Sequence, residues 1–200
     1  MAYGTSLSYA AHARRLVATG APIVIYDLET TGLDDLGSPA PRVWELAAVR
    51  RSAGDRQEAS RILNCGGPIP AEANIAGVDP MLPLREGVDP REVLERFARF
   101  VDGAILVGHN ICGFDNAILL AEYARAGVAA PLSLADKRRC IDTLSLSRAI
   151  FPKDEAGSPD RHRLVDMARH LGVPMNGTAH RALADVLTCE GVFDALVARL

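Results

Sequence analysis

Two acids, Asp27 and Glu29, close an apolar run in "IVIYDLETTGL", residues 23–33. In a strand their spacing puts both side chains on one face, about 7 Å apart along the chain. Carboxylates that close repel, and one tends to keep its proton unless a cation lies between them. A divalent metal held through oxygen would relieve the conflict, and hard Mg²⁺ or Mn²⁺ suits carboxylates and water. On the pair alone, a strand end emerging into solvent with Asp27 capping a turn is the simpler account. Thr30, Thr31 and Gly32 shift the balance. A tight turn there offers backbone amides to a ligand phosphate.

Two further stretches carry comparable residues. In "ILVGHNICGFDNAILL" a buried strand runs out at Gly108, and Asp115 enters the following helix. Asp115 could simply complement the helix dipole, with Asn110 capping or organising the loop. In "GTAHRALADV", His180 and Asp185 lie five apart. Within one helix they diverge by about 140°. They meet only if His180 sits in the preceding loop and Asp185 in the early turns, and Pro174 and Gly177 supply such a loop. A histidine beside an activated water suits general-base work. An ordinary surface histidine is the alternative, and His12, His109, His162 and His170 show how little the residue type says alone.

The elements that must position these residues follow from periodicity. Helical spacing predicts a leading helix over 6–20 and further helices over 90–103, 114–127, 164–171 and 181–200. Strands are expected over 22–28, 42–51, 58–65 and 104–110, and residues 138–151 read as a short strand running into a helix. Residues 34–41 and 154–160 are loops by composition, and 66–90 is an irregular Pro- and Gly-rich crossing with short helical turns. Strands in series, then alternating with helices, give an α/β architecture with a mixed sheet. Its site is expected at the ends of the inner strands. One domain, residues 21–200, follows a helical extension, residues 1–20.

Composition narrows the classes. The chain is 48% hydrophobic and 24% charged, as globular domains are. Only 5% is aromatic, which disfavours large base-stacking platforms. A net charge of −3 argues against non-specific adhesion to polyphosphate, though a local site could bring its own cations. Cys65, Cys112, Cys140 and Cys189 form no C-x-x-C pair, so reduced thiols are expected rather than zinc or disulfides. No apolar run is long enough for a membrane span and no signal peptide is evident, so a cytoplasmic protein is expected.

Taken together, the three stretches resemble the DEDD exonucleases of the ribonuclease H-like superfamily, in the histidine-bearing subgroup. That subgroup includes the epsilon proofreading subunit of bacterial replicative polymerase, ribonuclease T and oligoribonuclease. The motif D-x-E-T-T-G-L stands at residues 27–33, ending at Leu33. H-N-x-x-F-D is matched by His109, Asn110, Phe114 and Asp115 with one extra residue in the gap, and H-x-x-x-x-D by "HRALAD". Glu45 fits the second-strand pattern, "IDTLSLSRAIFP" resembles the stretch before the third motif, and the likeness covers roughly residues 22–198.

The resemblance implies a ribonuclease H-like mixed five-stranded sheet flanked by helices. It implies a metal-dependent 3′→5′ exonuclease that releases nucleoside 5′-monophosphates from single-stranded DNA in proofreading or repair. Trimming of short RNA or RNA 3′ ends is the alternative, and a non-catalytic nucleic-acid-binding or polymerase-accessory module a third. Two Mg²⁺ or Mn²⁺ would be held by Asp27, Glu29, Asp115 and Asp185. Asp27 would bridge them, Asp115 would act from one side through water, and His180 would take the proton of the attacking water. Thr30, Thr31 and Leu33, with Asn110 and His180, would contact the substrate. A polymerase subunit and a second copy of the chain are the implied protein partners. The chain ends at Leu200 soon after the last expected helix, which favours a stand-alone enzyme. One departure stands out. The family's H-G-I-T-like segment corresponds to "AGVDP", with Ala76 for the histidine and Asp79, an added acid, for the hydroxyl residue.

Overall fold

The structure, a computed structural model, describes residues 6–32, 40–153, 155–177 and 180–200. Leu33, expected to contact substrate, lies outside the described residues, as does most of the loop that follows it.

Three strands, β1 (Ile23–Thr30), β2 (Val43–Ser52) and β3 (Asp55–Ile62), form an antiparallel meander. β4 (Ile105–Gly108) and β5 (Cys140–Asp142) add in parallel on the far side of β1, giving the order β3-β2-β1-β4-β5. This is the expected mixed five-stranded sheet flanked by helices. β3 starts three residues before its expected position because β2 and β3 are joined by a two-residue turn, Ala53 and Gly54, with Gly54 at φ +79°.

β1 is central, so its apolar run is buried on both faces. Val24, Tyr26 and Leu28 point to one side, into a core with Leu94 and Phe97 of α3 (Pro90–Phe100) and Ile118 and Leu119 of α4 (Asp115–Ala126). Ile25 points to the other, against Val186, Val192 and Phe193 of α8 (Ala182–Val197) and Met167 of α7 (Leu164–Leu171). Strand alternation therefore places Asp27 and Glu29 on the α8 side. That is why a helix 150 residues downstream can bring Asp185 to them.

The helices end where glycine can adopt positive φ. Gly127 follows α4 at +63° and Gly172 follows α7 at +70°. Asp89 caps α3 by accepting from Arg91 N at 2.9 Å, and Pro90 opens the helix. Two four-residue helices, α2 (Leu82–Arg85) and α5 (Leu132–Ala135), and α6 (Thr143–Ile150) complete the set with α1 (Ser6–Val17). α2 lies within the irregular crossing, whereas α5 was not foreseen.

α1 packs on α6 and buries Ala13 in the α8-side core. It also serves the open edge of β5. The Tyr9 hydroxyl accepts from Asp142 N at 2.7 Å, and His12 Nε2 donates to Cys140 O at 3.3 Å. Side chains thus satisfy strand groups that no sixth strand among the described residues pairs. All four cysteines are free. No helix of the described residues is long and apolar enough to cross a membrane.

Candidate active site

The carboxylate oxygens of Asp27, Glu29 and Asp185 offer ligand atoms that all lie within 4.8 Å of one another. β1 delivers the first two from one face, and the first turn of α8 delivers the third. Asp115, buried at the start of α4, is not part of this trio, but its charge acts on Asp27. Burial, then the charges of Asp115, Asp185 and Glu29, hold the Asp27 carboxyl well above the usual carboxylate range. Burial pushes Glu29 up to about 8, with Asp185 and Glu45 adding to the push and Arg181 opposing it. Asp115 is raised to about 7 by burial, against the pull of its own backbone amide and that of Leu28. Asp185 is raised by burial, with His180 opposing.

His180 sits in the loop before α8, at φ +62°, and its backbone N–H donates to Asp185 Oδ2 at 3.1 Å. The spacing required this arrangement, and the structure has it. The His180 side chain is exposed beside Asp185 in a cleft with Thr188. What pins the loop is Glu45, 1% exposed on β2 and paired in register with Glu29. Glu45 accepts from Arg181 Nε at 2.9 Å and Nη2 at 3.1 Å, and from Ala182 N at 3.3 Å. It therefore caps α8 from a different element, because the N-cap residue Arg181 has no side-chain acceptor.

The Asp115 loop is held by Asp142. Asp142 Oδ1 accepts from Asn110 N at 3.1 Å and Leu144 N at 3.0 Å, and Oδ2 accepts from Cys112 N at 3.1 Å. One carboxylate thus caps α6 and shapes the turn that leads to Asp115. Asn110 adopts φ +68° there and accepts from Gly113 N and Phe114 N through its carbonyl. A Cβ at Gly108 would meet the Tyr26 carbonyl oxygen at 2.8 Å, so the turn closes tightly on β1. Tyr26 also donates to Asn116 Oδ1, tying β1 to α4 beside Asp115.

The chain departs from its β2 register between Glu29 and Thr30, where Thr30 Oγ1 donates to Gly32 O at 2.7 Å and Thr31 Oγ1 accepts from Arg42 N at 2.9 Å. Such irregularities re-aim side chains at functional strand ends. Glu29, Thr30, Ile75 and Phe114 line a second cleft here, with Ile75 69% exposed. Asp79, the added acid, accepts from Met81 N at 2.8 Å and pairs with Arg85, so its charge is offset locally.

A family model described as an exonuclease of the ribonuclease T type matches residues 24–193. The chain belongs to the DEDDh 3′–5′ exonuclease family. It is 34% identical over 187 residues to a PolC-type DNA polymerase III of Lacticaseibacillus paracasei, a match covering 91% of this chain and 12% of that one. The chain thus spans about an eighth of that polymerase. It is 30% identical over 182 residues to the DNA polymerase III subunit epsilon of Treponema pallidum, covering 86% of this chain and 75% of that one. The structure of E. coli exonuclease I in complex with a dT13 oligonucleotide shares the fold, with a TM-score of 0.67 and 20% identity over 88% of this chain and 41% of that one.

Exonucleases of this family depend on divalent metal, and the acid set fits one. Four carboxyls are raised together, and the one arginine acting on Glu29 is already held by Glu45. Hard oxygen donors short of a cation are what Mg²⁺ or Mn²⁺ binds. Sequence reasoning missed Arg181 and the role of Asp142. A signal for the first was present, since Glu45 in the apolar "RVWELAAV" demands a buried partner.

Proposed function

We propose that this exonuclease removes nucleotides one at a time from the 3′ end of single-stranded DNA and releases nucleoside 5′-monophosphates. The convergence of Asp27, Glu29 and Asp185 within 4.8 Å, with the charge of Asp115 also acting on Asp27, carries the reading. DNA is favoured because the relatives are named as DNA polymerase III proteins and the similar fold carries a dT13 strand.

In this reading Asp27, Glu29 and Asp185, with Asp115, would hold two Mg²⁺ or Mn²⁺. The bound cations would offset the phosphate charge and lower the pKa of the attacking water. His180 accepts a proton from that water at its imidazole. Water adds to phosphorus as the bond to the 3′-oxygen breaks, and the 5′-phosphate stays with the released nucleoside. Thr30 and Thr31, with Leu33 and Asn110, contact the terminal nucleotide, and Ile75 and Phe114 give its base an apolar wall that excludes water. The division into a leading helix, residues 1–20, and an exonuclease domain, residues 21–200, belongs to the same reading. So do a polymerase subunit or a second copy as partner, and a cytoplasmic location, where free thiols stay reduced.

The test is a 5′-labelled single strand incubated with Mg²⁺. A ladder shortening from the 3′ end is expected, abolished by EDTA and by Asp27→Ala. Undiminished cleavage by Asp27→Ala would overturn the site. Matched DNA and RNA oligomers of several lengths decide the sugar preference.

A further inference from the structure

Away from the acid cluster, the surface around α7 gathers cations. Arg161, Arg163, Arg169 and His170 line one shallow groove, in which Asp160 and Asp166 are the acids. Asp166 accepts from Arg163 Nε at 2.6 Å and faces Arg169 Nη1 at 3.6 Å. Arg161 also acts on Asp166, yet makes no ion pair among the described residues. Three guanidinium groups against the two carboxylates of Asp160 and Asp166 leave the groove positive by one charge, in a chain whose net charge is −3.

The groove and the site have one residue in common. Arg163 also lines the cleft that contains His180 and Asp185. A strand whose terminal phosphodiester lies at the acid cluster still has the rest of its phosphates to accommodate, and the acidic sheet end repels them. α7, eight residues or about 12 Å long, offers room for about two or three phosphates.

We propose that the groove formed by Arg161, Arg163 and Arg169 binds the backbone phosphates of the single strand upstream of the nucleotide being removed. This rests on the exonuclease reading for the identity of the strand, and on the position of the arginines for where the strand runs.

The test is fluorescence anisotropy of labelled oligothymidylate, a dinucleotide and a strand of about ten nucleotides, in EDTA so that nothing is cut, over a range of KCl. For the variant Arg161→Ala/Arg163→Ala/Arg169→Ala we expect affinity for the long strand to fall at least about tenfold. The slope of log K against log salt should become shallower by about 2, at about 0.7 per lost phosphate contact. Dinucleotide affinity should change little. The matching triple lysine variant, which keeps the charge, should retain most of the slope, separating charge from misfolding. An unchanged slope, an equal loss on the dinucleotide, or no wild-type binding to the long strand overturns the proposal. So does equal displacement of the strand by polyglutamate, which would point to an acidic protein partner. Wild-type protein that binds the strand through these arginines but cuts nothing with Mg²⁺ removes the exonuclease reading and leaves the groove.

Discussion

Arg181 meets Glu45 with two hydrogen bonds, 2.9 and 3.1 Å long, and so fixes the residue that follows His180 to the strand beside Glu29. The pair links the loop that carries His180 to the sheet. Removing Arg181 leaves a buried carboxylate with only the Ala182 amide for a partner. For Arg181→Ala we expect a loss of about 2–4 kcal/mol in stability, below the full value for a buried pair because Arg181 is partly exposed. The double variant Glu45→Leu/Arg181→Leu should recover much of the stability and little of the kcat. Thermal melts and steady-state kinetics on the same preparations check both.

Asp142 predicts a different pattern. For Asp142→Ala, four backbone amides around the Asp115 turn and the α6 start, those of Asn110, Cys112, Leu144 and Ser145, lose their acceptor. Displacing a metal-binding carboxyl by about 1 Å costs on the order of 100-fold in rate. A kcat about 100-fold lower with KM changed less than threefold is expected, and a larger KM effect would place Asp142 in substrate contact instead.

His180→Ala should lower kcat by about 10²–10⁴-fold, the range for loss of a general base, while leaving metal affinity near the wild-type value. Titration calorimetry with Mn²⁺ decides. A collapse of metal affinity would make His180 a ligand, not a base.

The metal-free protein should lose stability as pH rises. Glu29 titrates near 8 and Asp115 near 7 in the fold, against about 4 for carboxyls in an unfolded chain. Between those limits the folded state holds protons that the unfolded state has released, so stability from these groups is complete below about pH 4 and is lost as pH climbs through about 7 to 8. In EDTA the melting temperature should therefore be lower at pH 8 than at pH 5.5. Added Mg²⁺ should raise it most at pH 8, where the ligands are deprotonated. Glu29→Gln should flatten the metal-free profile and abolish cleavage. A metal-free melting temperature that rises with pH in the wild type but not in Glu29→Gln would contradict this assignment.

How much of this could be read from the sequence differs by residue. Period-2 alternation put Asp27 and Glu29 on one face, and the five-residue spacing of His180 and Asp185 required a loop before a helix. These are local consequences of backbone geometry, and the strand, the loop and α8 all follow them. Gly127 and Gly172 likewise stop helices where the sequence indicates, because only glycine takes positive φ without cost.

Tertiary structure decided which distant residues meet. Nothing local tells Glu45 that Arg181 is its partner, 136 positions away, or tells Asp142 that the amides of Asn110 and Cys112 need an acceptor. Those pairings arise because β1 is central: antiparallel β2 lies on one side, parallel β4 and β5 lie on the other, and α8 crosses the face that carries the acids. α1 is the same kind of case. Its amphipathic pattern predicts a helix, but only the unpaired edge of β5 explains why Tyr9 and His12 turn inward to meet backbone groups there. The sequence by itself determined the acids and their faces, since side-chain direction is a property of the chain. The fold decided how those acids are held and surrounded, since burial of charge can be balanced only by groups brought from elsewhere.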